Sequence, residues 1–136
     1  MLIGDRSVGK TLLIRHLLGC ERTIPTIGFQ VVYENILEIY DTSGDEKYQS
    51  ILSSFYPQIK HFVLVYKDLK TVLKYNFMRK YGMEWTLIHN SETKDNGEVY
   101  ALNHKMNFIR SNLVKHGKSI FESLQPNKRW RYCWFY

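Results

Sequence analysis

Two different spacings of apolar residues alternate along the chain. Short runs rich in β-branched and aromatic residues predict strands, and apolar residues three or four positions apart predict helices. Strands are expected at Met1–Ile3, Phe29–Tyr33, Ile36–Tyr40, Phe62–Tyr66, Glu84–Ile88 and Ser119–Phe121. Helices are expected at Lys10–Leu18, Glu46–Tyr56, Leu69–Tyr81 and Tyr100–His116. This alternation predicts an α/β domain with a mostly parallel sheet of about six strands.

Three segments add detail to this prediction. The run Phe62–Tyr66 is continuously apolar, which is typical of a parallel strand covered on both faces. The runs on either side of Glu34 and Asn35 could pair as a hairpin. The polar stretch Ser91–Glu98 contains an Asn-Gly pair and is interpreted as a loop.

The first predicted strand is followed by the pattern G-x-x-x-x-G-K-[ST], which is typical of a phosphate-binding loop. Its residues are Gly4, Asp5, Arg6, Ser7, Val8, Gly9, Lys10 and Thr11. Glycines let the backbone N–H groups of such a loop face one anion, and the dipole of the following helix favours negative charge there. Lys10 is then expected to reach the terminal phosphates and Thr11 to ligate Mg²⁺. The alternative is an ordinary turn in which the glycines occur by chance.

A second candidate site follows the strand predicted to end at Tyr40. Asp41 opens the sequence Asp-Thr-Ser-Gly, and it lies about thirty residues after Lys10. A carboxylate at a strand end near a phosphate loop suits Mg²⁺ and its water ligands. Gly44, three residues later, could offer an unobstructed N–H to a γ-phosphate.

Together with Thr23–Phe29, these motifs resemble the small GTPases of the Ras superfamily. Thr23–Phe29 is most similar to the Arf branch, whereas Tyr40–Ser50 and Phe62–Tyr66 are more similar to Rab proteins. The resemblance implies a doubly wound P-loop fold, bound GTP or GDP, and Mg²⁺ held by Thr11, Thr26 and Asp41. It also implies effectors, exchange factors and GTPase-activating proteins that bind at Thr23–Phe29 and Asp41–Tyr56.

Asp45 departs from the family pattern, because most relatives carry there the glutamine that orients the attacking water. A carboxylate is shorter, cannot donate a hydrogen bond when ionised and adds negative charge near the γ-phosphate. Hydrolysis is therefore expected to be slower than the intrinsic rate on the order of 10⁻⁴ s⁻¹ given for Ras. The alternative is that Asp45 acts as a base, so Lys10 and Asp45 are the two candidate catalytic residues.

Arg6 also departs, because this loop position is small in several relatives. It could imitate an arginine finger, block one, or simply point into solvent.

The guanine-reading motif Asn-Lys-x-Asp is incomplete. Asn90 is retained as a nucleotide-binding candidate, but Ser91 and Thr93 replace the lysine and the aspartate. Losing two charged hydrogen bonds to guanine could lower affinity by about 10²–10⁴-fold. Asp95 could compensate only if its loop swung inward. The Ser-Ala-Lys motif behind the base is missing after Ile120–Ser123, the segment that resembles its strand.

Composition and charge add little to this interpretation. The 136 residues carry a net charge of +6 without metal-type spacing of cysteine or histidine, and no nucleic-acid partner is expected. We interpret residues 1–126 as a G-domain that is short at both ends and lacks the last helix, followed by a basic aromatic tail, residues 127–136. Cys133 lies four residues from the end, but Tyr136 is an unusual last residue for prenylation. A cytoplasmic protein is expected, with peripheral membrane contact left open.

Three functions remain open from sequence. The first is a Rab/Arf-like GTP/GDP switch in vesicle traffic or signalling, with weak hydrolysis. The second is a pseudo-GTPase that binds without guanine selectivity or turnover. The third is an unselective P-loop nucleotidase.

Overall fold

A computed structural model describes residues 1–19, 25–34, 37–81, 84–113, 115, 119–120 and the backbone of 132–134. Its strands are β1 (Leu2–Ile3), β2 (Phe29–Glu34), β3 (Leu37–Thr42), β4 (His61–Tyr66), β5 (Glu84–His89), β6 (Asn107–Arg110) and β7 (Tyr132–Trp134). Its helices are α1 (Lys10–Leu18), α2 (Gln49–Ser53), α3 (Leu69–Lys74) and α4 (Gly97–Asn103). Shorter 3-10 turns cover Glu46–Tyr48, Tyr56–Gln58 and Asn76–Lys80.

The described strands form a seven-stranded sheet in the order β2-β3-β1-β4-β5-β6-β7. Every neighbouring pair is parallel except β2 and β3, which pair as the predicted hairpin. The predicted α/β fold with a mostly parallel sheet is confirmed. Since β3 and β4 lie on either side of β1, the chain changes direction across the sheet at β1, where open α/β sheets bind their ligands.

Both faces of the central strands are buried, which explains their continuous apolar sequence. In β4, Phe62 and Leu64 face one core cluster, and Val63 and Val65 face the other. The second cluster includes Leu13 from α1, which is fully buried. Burial of this helix face fixes the start of α1, and therefore the phosphate loop, against the sheet.

The predicted helix Tyr100–His116 is wrong, because the segment contains two elements. Helix α4 ends at Asn103, and Lys105 adopts a positive φ of 57°. The Met106 N–H donates to the Ala101 carbonyl at 2.9 Å, which closes the helix end in the manner of a Schellman turn. The chain then enters β6, where Phe108 and Ile109 are buried in opposite core clusters.

The strand predicted at Ser119–Phe121 is also wrong, because residues 119 and 120 are helical. The sixth strand of the sheet is β6, and Ser111–Leu113 follow it directly. The segment Ile120–Ser123, which was compared with the strand before the Ser-Ala-Lys motif, lies mostly outside the described residues. The predicted tail contributes β7, which pairs with β6. The expected absence of the last helix concerns residues that lie mostly outside the described part of the chain.

The predicted helices after β3 and β4 are shorter and interrupted. Pro57 lies in a 3-10 turn that follows α2, and the predicted Leu69–Tyr81 helix divides into α3 and a second 3-10 turn. Within the described residues, no helix is both long enough and apolar enough to cross a membrane.

Candidate functional site

The loop between β1 and α1 has the backbone shape that exposes N–H groups. Gly4 and Gly9 adopt positive φ angles of 136° and 105°, and Ser7 adopts 59°. Gly9 is the N-cap of α1 and provides no side-chain hydrogen bond to the first turn. The positive φ favours glycine at position 9, and an added Cβ would also crowd the Asn90 side chain, at 2.7 Å from its Nδ2. Because the first N–H groups of an α-helix have no partner within the helix, a helix start of this kind can bind an anion.

Lys10 is held inside this loop. It is 4% exposed, and its Nζ donates to the carbonyl oxygens of Gly4 at 2.9 Å and Asp5 at 2.7 Å. Burial lowers the pKa of Lys10 to about 8, although the charges of Asp41 and Asp5 oppose this shift. A phosphate would supply the compensating negative charge that these carbonyls provide only in part.

Three side-chain oxygen atoms, from α1, from β3 and from the segment before β2, meet beside Lys10. Thr11 Oγ1 lies 2.8 Å from Asp41 Oδ2, Thr26 Oγ1 lies 2.9 Å from the same oxygen, and the two hydroxyl oxygens are 2.7 Å apart. Each of these three oxygen–oxygen contacts needs a hydrogen if it is a hydrogen bond, but the two threonine hydroxyl groups supply only two hydrogens. Adjacent ligands of octahedral Mg²⁺, at about 2.1 Å from the metal, lie about 3.0 Å apart. This triangle of hard oxygen donors therefore fits one face of a magnesium site, which is the role predicted for all three residues.

Asp41 supports this interpretation through its burial. The residue is 0% exposed, and its Oδ1 has no hydrogen-bond partner among the described residues. A buried carboxylate oxygen without a partner is costly unless a cation or water completes its coordination. Gln30, which the sequence analysis missed, donates to Asp41 Oδ2 at 3.1 Å. The antiparallel register pairs Gln30 with Asp41, so the hairpin prediction contained the signal for this contact.

Gly44 lies directly against the phosphate loop. Its φ is 76°, and an added Cβ would lie 2.7 Å from Lys10 Nζ and 2.5 Å from the Gly4 carbonyl oxygen. No other residue type fits this space without displacing the loop. The segment that follows Asp41 is therefore packed onto the predicted phosphate site.

Asp45 occupies the mouth of the site with cationic neighbours. Arg6 Nη2 donates to Asp45 Oδ2, and Lys47 Nζ lies 3.4 Å from the same oxygen. Asp45 also caps the following 3-10 turn, since its Oδ1 accepts from the Lys47 N–H at 3.2 Å. Burial alone would raise the pKa of Asp45, but the hydrogen bonds from Lys47 and the charge of Arg6 hold that pKa below its usual value. Asp45 is therefore ionised near neutral pH, as the sequence analysis assumed.

The other loop residues have different environments. The Asp5 carboxylate accepts from Thr71 Oγ1 at 2.8 Å and Lys74 Nζ at 2.9 Å, so it joins the loop to α3. Val8 is a core residue. Ser7 lines a cavity of about 620 Å³ together with Arg6, Lys10, Thr11, Thr26 and Asp45.

Comparison with known proteins identifies the family of this site. The model of the Roc family, described as "Ras of Complex, Roc, domain of DAPkinase", matches residues 1–106 of the 136. The chain belongs to the Ras-like small GTPases. The resemblance read from the motifs is thereby confirmed.

This small GTPase is similar to several curated Rab proteins. It is 29% identical to Ras-related protein RABA6a of Arabidopsis thaliana, in an alignment that covers 90% of this chain and 56% of the relative. It is 38% identical to Ras-related protein Rab-7B of Dictyostelium discoideum over 48% of this chain and 36% of the relative. It is 33% identical to Ras-related protein Rab-12 of Homo sapiens over 52% of this chain and 33% of the relative. The chain thus spans about half, or less, of the length of these relatives.

At the position where the family carries its guanine-reading aspartate, this small GTPase has Thr93. Asn90 Nδ2 donates to the Val8 carbonyl at 2.7 Å, and its Oδ1 accepts from the Leu113 N–H at 3.0 Å, so Asn90 ties the phosphate loop to the loop after β6. Thr93 Oγ1 lies 2.9 Å from Ser91 Oγ. The hydroxyl of Thr93 can replace only part of what a carboxylate accepts.

Asp95 does not compensate for this loss. Its Oδ1 accepts from the Gly97 N–H at 3.0 Å and from the Tyr66 hydroxyl at 3.4 Å, and it lies 3.4 Å from Nδ1 of the buried His89. These contacts hold Asp95 at the start of α4 and against the ends of β4 and β5. Moving it toward a base would break them, so the inward swing considered from sequence is not the arrangement in this structure.

Proposed function

We propose that this chain is a GTP/GDP switch of the Rab-like type, which binds a nucleotide with Mg²⁺ and hydrolyses GTP weakly. One observation carries the proposal. The Lys10 amine, the oxygen triangle of Thr11, Thr26 and Asp41, and the backbone of Gly44 all converge at the carboxyl ends of β1 and β3. Phosphoryl transfer needs this combination of cation, magnesium ligands and backbone donors.

Each group has a defined task in this proposal. The N–H groups from Gly4 to Gly9 bind the β-phosphate side of the ligand, and the Lys10 amine leaves its two carbonyl partners to bind the terminal phosphates. Mg²⁺, when bound by Thr11, Thr26 and Asp41, would neutralise charge on the phosphate oxygens. The Gly44 N–H would hold a γ-phosphate. Release of that phosphate would free the segments bearing Thr26 and Gly44, which is the switch.

Slow hydrolysis follows from Asp45. An ionised carboxylate, whose Oδ1 already accepts from the Lys47 N–H, cannot donate a hydrogen bond to orient a water. The remaining catalytic contribution is charge neutralisation by Lys10 and the metal. Turnover on the order of 10⁻⁴ s⁻¹ or less is therefore proposed.

A second candidate is a pseudo-GTPase without guanine selectivity. The contacts that engage Thr93 and Asp95 favour it, because they leave no carboxylate at the position that reads guanine in the family. The phosphate grip would then supply nearly all the affinity, and GTP and ATP would bind alike.

Partners and location are proposed by family membership. Effectors, exchange factors and GTPase-activating proteins would bind at Thr23–Phe29 and Asp41–Tyr56, where Ile27 is 84% exposed and Ile51 is 53% exposed. Of this surface, Thr23 and Ile24 lie outside the described residues. A role in vesicle traffic, in the cytoplasm with peripheral membrane contact, would match the Rab relatives.

The test is a titration of purified protein with a fluorescent guanine nucleotide, with and without Mg²⁺, followed by competition with GTP, GDP and ATP. Guanine-selective, Mg²⁺-dependent binding supports the switch. Equal competition by ATP supports a site without guanine selectivity, which is the pseudo-GTPase if the protein does not hydrolyse the nucleotide. Lys10→Ala should abolish binding, while Lys60→Ala should not. Lys60 is exposed and directly precedes β4, so it lies at the amino-terminal end of that strand, whereas the phosphate loop follows the carboxyl end of the neighbouring β1. Unchanged affinity in Lys10→Ala would refute both candidates.

A further inference from the structure

An ion pair lies in the wall of the predicted phosphate cavity. The Arg6 guanidinium, from the phosphate loop, binds the Asp45 carboxylate, from the segment that follows Gly44. Both residues line the cavity that also contains Lys10 and Thr26. The Arg6 side chain is 68% exposed, whereas that of Asp45 is 16% exposed. The cation can therefore swing through solvent, while the carboxylate is largely held in place.

Asp45 lies next to the residues that are expected to bind a third phosphate. It directly follows Gly44, whose backbone packs on Lys10, the residue expected to reach the terminal phosphates. A γ-phosphate and the Asp45 carboxylate are like charges, and both attract Arg6. A diphosphate lacks the competing group and leaves the pair undisturbed.

A separate charge network connects the residue after Asp45 to the phosphate loop and α3. Lys74 Nζ, from α3, lies 2.9 Å from Asp5 Oδ1 and 2.7 Å from Glu46 Oε1. It therefore joins the phosphate loop to the residue after Asp45. Because Asp45 also caps its own 3-10 turn, the response to a ligand falls mainly on the exposed Arg6 side chain.

We propose that the Arg6–Asp45 pair sets the preference of the site between nucleoside diphosphate and triphosphate. With a diphosphate the pair persists. With a triphosphate Arg6 transfers to the γ-phosphate, and Lys47, already 3.4 Å from Asp45, becomes the partner of the carboxylate. Asp45 therefore opposes triphosphate binding in two ways, by repelling the phosphate and by holding Arg6. This inference rests on the proposed nucleotide binding.

The test is a double-mutant cycle on the ratio of two affinities. The Kd values of Mg²⁺-GDP and of a nonhydrolysable Mg²⁺-GTP analogue are measured for the wild type, Asp45→Asn, Arg6→Gln and the double variant. Asp45→Asn keeps the N-cap oxygen and should tighten triphosphate binding by at least about tenfold, with GDP changed by less than about threefold. Its matched control is Asp68→Asn, because Asp68 caps α3 through the same contact, to the Lys70 N–H, and does not line the cavity.

The cycle separates competition for Arg6 from simple repulsion. If the pair must break, the gain from Asp45→Asn is larger when Arg6 is present than in the Arg6→Gln background. An equal or smaller gain with Arg6 present would overturn the proposal. So would parallel changes in GDP and triphosphate affinity, which would indicate a structural effect. If the wild type did not bind GDP in a Mg²⁺-dependent manner, the proposed function would be refuted together with this inference.

Discussion

Replacing Lys10 by methionine should change the pH dependence of stability in the ligand-free protein. Relative to the wild type, the variant should have a higher free energy of unfolding at neutral pH than at high pH. The Lys10 amine is buried, and burial lowers its pKa from 10.5 to about 8. The unfolded chain therefore holds a proton on Lys10 more tightly than the folded chain. A shift of this size corresponds to about 3 kcal/mol of destabilisation while the folded amine stays charged.

The sign of the pH dependence follows from the same shift. Below about pH 8 both states are protonated and the destabilisation is complete, whereas between about pH 8 and pH 10.5 the folded amine is neutral and the wild type regains stability. From pH 7 to pH 9.5 this recovery is about 2 kcal/mol. Methionine carries no charge, and it also cannot donate the two hydrogen bonds that Lys10 makes to the Gly4 and Asp5 carbonyls. Each of these hydrogen bonds contributes about 1 kcal/mol to the stability of the wild type. Those losses are the same at both pH values.

The assay is urea unfolding of wild type and Lys10→Met without nucleotide or phosphate, at pH 7 and pH 9.5. The free energy of unfolding of the variant, minus that of the wild type, should fall by about 2 kcal/mol at the higher pH. Lys60→Met, at an exposed lysine, should show no such change. A difference that is independent of pH would refute the burial argument. Nucleotide binding by Lys10→Met should be lost at both pH values.

Three further predictions use other contacts. Gly44→Ala should weaken nucleotide binding in a titration by at least about tenfold, because the added Cβ would meet the phosphate loop. Gly19→Ala is the control, since Gly19 has a similar positive φ of 66° but nothing within 4 Å of an added Cβ. Equal losses of affinity in the two variants would contradict the steric argument. Asp45→Gln should raise single-turnover GTP hydrolysis, and a decrease would identify Asp45 as a working base. Leu13→Ala should lower the free energy of unfolding by about 2–5 kcal/mol in urea, since Leu13 is 0% exposed; a loss below about 1 kcal/mol would mean that α1 is not anchored there.

Local pattern was sufficient for much of the fold. The strands from β1 to β5 and helix α1 were placed within a few residues, because each has a continuous apolar run or a clear helical period. The region after Asn103 was misread, since the apolar residues of α4 and β6 together fit one long helical pattern. The helix end at Lys105 carries no glycine or proline to mark it, and only the buried positions of Phe108 and Ile109 decide for a strand.

The sequence by itself determined the family and the chemical types at the phosphate site. Its contiguous motifs predict which residues supply the backbone N–H donors, the amine and the oxygen ligands for Mg²⁺, because each motif consists of neighbours along the chain. Tertiary structure alone decided which charges meet: Arg6 with Asp45, Lys74 between Asp5 and Glu46, and Asp95 against Tyr66 rather than a base. These partners are distant in sequence, and their pairing depends on how strands and loops are brought together at one edge of the sheet.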